Sequence, residues 1–282
     1  MKTIYLIALV IVALVLGFVA GMIVTSYGKN PSETQLSQIC SGYKILDKIK
    51  QKGVLTVGTS ADWPPYEYVT SSGEFAGIDI EIAKKIAQSL GVKLEIKDMK
   101  FAALFEAVKR GDVDMAIADI AMKPERLQAV DFSIPYRCET GKAIIMRISD
   151  AGSYKDLQSL YGKNIGVQLG TTEQDLVEQY YKDKANIVTF DRVYPEMVMA
   201  LKTGRLNAIV TAPDVAELIV SKEKDLKIVG YIPFFSCSVI ALPKCSFDLQ
   251  MEVSKIIWNM IQSGELKKII DNEMSKWLSQ QS

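Results

Sequence analysis

The chain has 282 residues, 49% of them hydrophobic, and its 33 basic residues balance 33 acidic ones. That length can bury the core of one large or two medium domains. A neutral balance supplies no attraction for a polyanion, so nucleic acid is excluded as the expected partner. There is no histidine, and the cysteines at 40, 138, 237 and 245 have no CxxC spacing. A structural zinc site and a histidine-based catalytic triad are therefore excluded, and no cofactor or metal is expected.

Residues 4–24 are almost continuously apolar behind Lys2, and about 20 such residues suffice to cross a bilayer as a helix. A secretory signal usually has a shorter apolar core, about 7 to 15 residues. An uncleaved transmembrane anchor, with Lys2 on the inner side, is thus preferred over a cleaved signal peptide. Residues 1–27 are assigned to that anchor or signal, and 28–42, polar and carrying Pro31, to a tether.

From residue 43 the composition turns globular. A strand is predicted over 54–57. Ile78, Ile82, Ala83, Ile86, Ala87 and Leu90 then fall at helical spacing, with Gly91 as a stop. Residues 92–96 alternate as a half-buried strand does, and 103–109 read as a helix ended near Gly111. In the stretch 111–136, GDVDMAIADIAMKPERLQAVDFSIPY, the run Val113, Met115, Ile117 and Ala118 predicts a buried strand. Pro124 can open a helix there, because an N1 proline gives up no intrahelical hydrogen bond. Arg126 then sits on a first helical turn just past a strand end, where α/β proteins gather the groups that hold ligands.

The alternation continues with strands at 143–146, 165–167, 187–190 and 208–210 and helices at 172–181, 194–201 and 215–220. A strand at 238–242 and helices over 251–261 and 266–277 follow. Strand alternating with helix implies parallel pairing and an α/β class.

Three motifs stand in order along the chain: GVLTVGTSADWPPYEY from Gly53, the stretch 111–136, and GKNIGVQLGTTEQ from Gly162. Together they resemble the family 3 extracellular solute-binding proteins, the amino-acid receptors of ABC importers. In the middle motif Asp114, Glu125, Arg126, Phe132, Ser133, Pro135 and Tyr136 match the family's pattern, whereas Asp119, Ala121 and Lys123 depart from it. The resemblance implies a two-lobed α/β fold of the periplasmic-binding-protein type II kind, with two hinge strands, behind the N-terminal transmembrane or signal helix. Lobe 1 would be 43–139 with 237–282, and lobe 2 140–236. It further implies an extracytoplasmic monomer that closes around an amino acid and delivers it to a membrane permease.

Carried onto this sequence, the resemblance implies a cleft built from Ser60, Trp63, Tyr66, Phe101, Ala118, Asp119, Ala121 and Arg126 of lobe 1. Gln168, Thr171, Thr172, Glu173 and Ala212 come from lobe 2. Trp63 and Phe101 match the aromatic positions that sandwich a ligand side chain, with Tyr66 nearby; core packing is the other reading of these rings. Arg126 matches the clamp on the α-carboxylate, whose two parallel hydrogen bonds lysine cannot reproduce. Thr172 would face the same carboxylate, and reads equally as an N-cap with Asp175 completing a capping-box-like turn.

The family's ammonium-holding aspartate falls at Ala212, while Asp119 stands where glycine is usual. An unpaired buried carboxylate at 119 requires a cation nearby: the ligand's ammonium, a cationic side chain, or Arg126. With Glu173 as a second acid, a zwitterionic or cationic amino acid is expected over an acidic one. The alternative function is an enzyme on the same scaffold, such as a cyclohexadienyl dehydratase, with Asp119 and Glu173 as its acid–base pair. Cys138 and Cys237 fall on the implied hinge strands, where they are either bridged or buried as thiols; the even count leaves Cys40 for Cys245.

Overall fold

Gly53, in the left-handed conformation, ends helix α1 (Ile45–Lys52) and releases the chain into β1 (Val54–Thr59). The computed structural model describes residues 44–279. After β1 come three short strands, β2 (Asp62–Trp63), β3 (Glu67–Val69) and β4 (Phe75–Ala76), which form a small antiparallel sheet. Helix α2 (Ile78–Leu90) buries Ile78, Ile82, Ala83, Ile86, Ala87 and Leu90, the residues whose spacing predicts it, and Gly91 caps it. Gly77 stands before it at φ 120°, where a Cβ would come within 2.2 Å of the Tyr66 carbonyl oxygen. Without a side chain there, Ile78 N and Asp79 N donate to Pro65 O and Tyr66 O, both at 2.9 Å, and the first turn of α2 seats under the WPPYE loop.

β5 (Lys93–Asp98), helix α3 (Leu104–Arg110), β6 (Met115–Ala116) and β7 (Val130–Phe132) follow. β1 pairs in parallel with β5 and β6, and β13 (Ala241–Pro243) runs antiparallel between β6 and β7. The order of this first five-stranded sheet is β5-β1-β6-β13-β7.

The chain leaves it on β8 (Arg137–Arg147) and continues through α4 (Ile148–Ala151), β9 (Asn164–Gln168), α5 (Thr172–Tyr181), β10 (Asn186–Phe190), α6 (Val198–Lys202), β11 (Ala208–Thr211) and α7 (Pro213–Lys222). It returns on β12 (Leu226–Ser238). The second sheet has the order β10-β9-β11-β8-β12, with β8 antiparallel to both of its neighbours. β8 and β12 are the two connecting strands. They pair from Arg147↔Leu226 to Arg137↔Ser238, and a disulfide joins Cys138 to Cys237, which lie directly opposite in the register. Helices α8 (Phe247–Gln262) and α9 (Glu265–Ser279) then pack back beside α1 and α2, as the Lys85–Glu265 ion pair at 2.6 Å marks.

Several sequence expectations differ from this. The pairing is mixed rather than parallel, because β7, β8, β12 and β13 run antiparallel to their partners. The strand expected at 238–242 is split: Ser238 ends β12 and β13 begins at Ala241. Most of β12 gave no alternating signal, since two register shifts interrupt its period-2 pattern. The helix expected at 194–201 is interrupted at Tyr194, whose φ −113° and ψ 129° are not helical. Among the described residues no helix is long and apolar enough to cross a membrane. The apolar run 4–24, the tether and Cys40 lie outside the described residues.

Candidate functional site

The C-terminal ends of β1 and β6, the first turns after Pro124 and Phe101, and the N-terminal turn of α5 converge on one cleft between the two sheets. It is lined by Ser60, Trp63, Glu67, Phe101, Ala118, Asp119, Ala121 and Arg126 from one side. Glu139, Lys142, Gln168, Thr171, Thr172, Glu173, Ser236 and Ser238 line it from the connecting strands and the second sheet.

Arg126 lies in a 3₁₀ turn opened by Pro124 at its first position, as the proline predicts, and is 8% exposed. Its Nη1 donates to Ala121 O at 2.5 Å and its Nη2 to Gly170 O, across the cleft, at 2.9 Å. The guanidinium carbon stands 4.5 Å from the Phe105 ring centre and 5.3 Å from that of Phe101. No carboxylate among the described residues forms an ion pair with it. Burial pulls its pKa down to about 10, against the fields of Glu173, Asp175 and Glu125, so it stays cationic at neutral pH.

Asp119 answers its charge differently. Its backbone is left-handed at φ 43°, a region aspartate tolerates better than most residues, and Asp79 on the first turn of α2 accepts from its N–H at 2.7 Å. Trp63 Nε1 donates to Asp119 Oδ2 at 3.3 Å, Ser238 Oγ donates to Oδ1, and Arg137 Nη1 lies 3.6 Å from Oδ1. Arg137, not Arg126, is therefore its cation. Burial pushes Asp119 up to about 8; Arg137 opposes this, and Glu139, Asp214 and Asp79 add to it. Arg137 is also paired with Glu139 at 3.2 Å and Asp214 at 2.6 Å. Burial works to lower its own pKa, but Asp119, Tyr66, Asp214 and Glu139 together raise it.

On the far wall, Lys142 is 2% exposed between Glu139 and Glu173, with its Nζ 2.7 Å from Glu173 Oε1. Burial would raise the Glu173 pKa, yet Lys142 holds it below the usual range. Glu67 is 1% exposed and its Oε2 has no hydrogen-bond partner. Burial, with Asp79, Asp119 and Asp62 around it, pushes Glu67 far above the ordinary carboxylate range.

The lobes are closed on each other. Asp62 accepts from Ser60 Oγ at 2.7 Å, and from Val193 N at 2.5 Å and Gln168 Nε2 at 3.2 Å across the cleft. Arg192 grips Asp98 with both Nη atoms, at 3.0 and 2.8 Å, Lys100 pairs with Asp191 at 2.5 Å, and Lys123 pairs with Asp175.

Eleven of the thirteen residues expected in the cleft line it; Tyr66 and Ala212 do not. Tyr66 is buried with its hydroxyl donating to Asp214 and its ring under Arg137. Ala212 is fully buried at the start of α7, where its carbonyl accepts from Ala216 N. The helix cap is Thr171, whose Oγ1 accepts from Gln174 N at 3.3 Å, rather than Thr172, and Asp175 serves the other lobe. Glu67, Glu139, Lys142, Ser236 and Ser238 were missed. Only Glu67, inside the WPPYE motif, carried a signal that could have found it.

Against known proteins, residues 55–279 match the model of the bacterial extracellular solute-binding proteins, family 3, and the chain belongs to that family. It is similar to the L-cystine-binding protein TcyJ of Escherichia coli, 29% identical over 83% of this chain and 85% of that protein. The arginine-binding extracellular protein ArtP of Bacillus subtilis is 32% identical over 81% of this chain and 87% of its own. Among solved structures, a P235GK mutant of ArgBP from T. maritima superimposes with a TM-score of 0.77 at 34% identity, covering 82% of this chain and 99% of that one. The fold is thus that of the type II periplasmic binding proteins.

Proposed function

We propose that this chain is an extracytoplasmic receptor that captures an amino acid, polar or cationic, between its two lobes and delivers it to the permease of an ABC importer. The lobes are residues 43–139 with 237–282, and 140–236; β8 and β12 are the hinge, and the apolar run 4–24 anchors the protein in the membrane. The observation that carries the reading is Arg126, a buried guanidinium with no ion-pair partner among the described residues. A buried cation so placed calls for an anion from outside, and a carboxylate fits its planar donor geometry. Trp63 and Phe101 frame the adjoining space.

The charge preference rests on the balance of the cleft as a whole, in which Glu67, Asp119, Glu139 and Glu173 stand against Arg126 and Lys142. Burial keeps Glu67 neutral, so its carboxyl serves a polar donor on the ligand rather than the ligand's charge. That relatives are named for arginine supports the same preference. Catalysis has less behind it, because Lys142 engages Glu173, one half of the acid–base pair that the dehydratase alternative needs.

A thermal-shift screen of amino acids and amines tests the reading. A ligand at a hundred times its Kd stabilises the folded state by about 2.7 kcal/mol, so arginine or lysine should raise the melting temperature most. No response to any amino acid, a tighter response to glutamate or aspartate, or turnover of prephenate or arogenate to an aromatic product would overturn it.

A further inference from the structure

Asp62, at the start of β2, is 3% exposed and does not line the cleft; it stands behind Ser60 and Gln168, which do. Ser60 Oγ donates to its Oδ1 at 2.7 Å, and Gln168 Nε2 donates to its Oδ2 at 3.2 Å. Val193 N donates to Oδ2 as well, at 2.5 Å, and Arg192 Nη1 lies 3.8 Å from Oδ1. Burial raises the Asp62 pKa to about 6, with Asp98 adding to it against Ser60, Val193 and Arg192. At neutral pH it is therefore a carboxylate, which accepts hydrogen bonds and gives none.

A carboxylate in that place decides which way two polar groups of the wall face. A hydroxyl has one hydrogen, and that of Ser60 points to Asp62, so only lone pairs are left for the cleft. Gln168 has two amide hydrogens; one goes to Asp62 and the other to Asp191 O at 3.2 Å. Both partners are acceptors, so the amide cannot be turned round, and its Oε1 is what remains for a ligand. Elsewhere on the wall the same arrangement holds: Thr172 Oγ1 donates to Glu173 at 3.2 Å and Ser236 Oγ to Glu139 at 3.0 Å. The hydrogens of these hydroxyls point away from the cleft, which leaves oxygens to whatever enters.

We propose that Asp62 is a positioning residue: from behind the wall it holds Ser60 and Gln168 with their acceptors toward the cleft, so that the site selects a ligand side chain ending in N–H donors. The proposal rests on the amino-acid reading given above, and it assigns part of the specificity to a residue that the ligand does not touch. A donor-rich group finds a partner at each of these oxygens. A carbonyl brought to the same place would meet lone pairs, and a buried acceptor without a partner is costly.

The test compares arginine with citrulline, which carries a carbonyl oxygen in place of one terminal nitrogen of the guanidinium, by calorimetry on the full chain. The parent should prefer arginine. Asp62→Asn puts an amide where the carboxylate stood; Val193 N keeps the single oxygen, so Ser60 must accept and its hydrogen turns into the cleft. The ratio of the citrulline Kd to the arginine Kd should then fall by about tenfold. Ser60→Ala combined with Gln168→Met leaves the Asp62 charge in place and should lower the ratio at least as far, and in that background Asp62→Asn should change it no further. Equal weakening of both ligands by Asp62→Asn would make Asp62 a closing contact alone, and a fall of the same size in both backgrounds would make its effect one of charge; either overturns the proposal and leaves the amino-acid reading standing. If Asp62→Asn does not melt cooperatively, the Ser60→Ala, Gln168→Met protein decides, and an unchanged ratio there overturns the proposal. A parent that binds neither ligand but answers to an amino acid without side-chain N–H groups also overturns the proposal alone. One that answers to no amino acid removes the reading with it.

Discussion

At the junction of the lobes stand Arg126, buried, and Arg137, half-buried, and their charges are answered in opposite ways. Arg137 is surrounded by Asp119, Glu139 and Asp214, and its ring partner Tyr66 reaches the same Asp214. Arg126 has two backbone carbonyls and two phenylalanine rings, and no carboxylate paired with it among the described residues. A charge neutralised from within holds the protein together, whereas one left open can be completed only by what enters the cleft. The difference separates a structural arginine from a recognition arginine without appeal to position in a motif.

The largest expected effect is at Arg137. Arg137→Met strands three carboxylates, and breaking a buried pair by removing one partner costs about 3 to 5 kcal/mol; chemical denaturation should show a loss on that scale. A loss under about 1 kcal/mol would mean that the cluster is solvated and the contrast with Arg126 false. Arg126→Ala should do the reverse. Affinity for the amino acid should fall by about 2 to 5 kcal/mol, roughly thirtyfold to several thousandfold, while the ligand-free protein melts no lower than the parent. Calorimetry giving less than about a fivefold loss would place the carboxylate site elsewhere.

The pH dependence sharpens the same contrast. Burial pushes Asp62 and Asp79 to about 6, and Asp119 to about 8. The folded state therefore keeps protons that the unfolded chain releases near pH 4, so stability must fall as pH rises through about 4 to 8. Each unit of displacement contributes about 1.4 kcal/mol at most. The ligand-free protein should melt several degrees lower at pH 8 than at pH 5, and a melting temperature that climbs over this range would show that these acids are ionised in the folded state.

Smaller effects separate the acids of the cleft. Glu67→Leu, which removes both carboxyl oxygens, should weaken arginine binding more than Asp119→Asn does, by about a factor of ten, because Asp119 already has Arg137, Trp63 and Ser238. Parallel titrations decide it, and the opposite order would return Asp119 to the ligand. Thr171→Ala removes the cap that Gln174 N uses and should cost about 1 kcal/mol in thermal unfolding.

Sequence alone determined whatever depends on near neighbours along the chain. Ile78, Ile82, Ile86 and Leu90 declare the buried face of α2 by spacing, Pro124 declares the turn that carries Arg126, and the GTTEQ motif marks the start of α5. The motifs also gave most of one cleft wall, since those residues sit together on strand ends and first turns. Only the tertiary structure decided how the charges pair. The register that sets Arg137 opposite Ser238 delivers a guanidinium to Asp119, and β8 carries Lys142 to Glu173 from a stretch with no motif of its own. Coulomb attraction and desolvation depend on distance and burial in space. Neither is written in residue order.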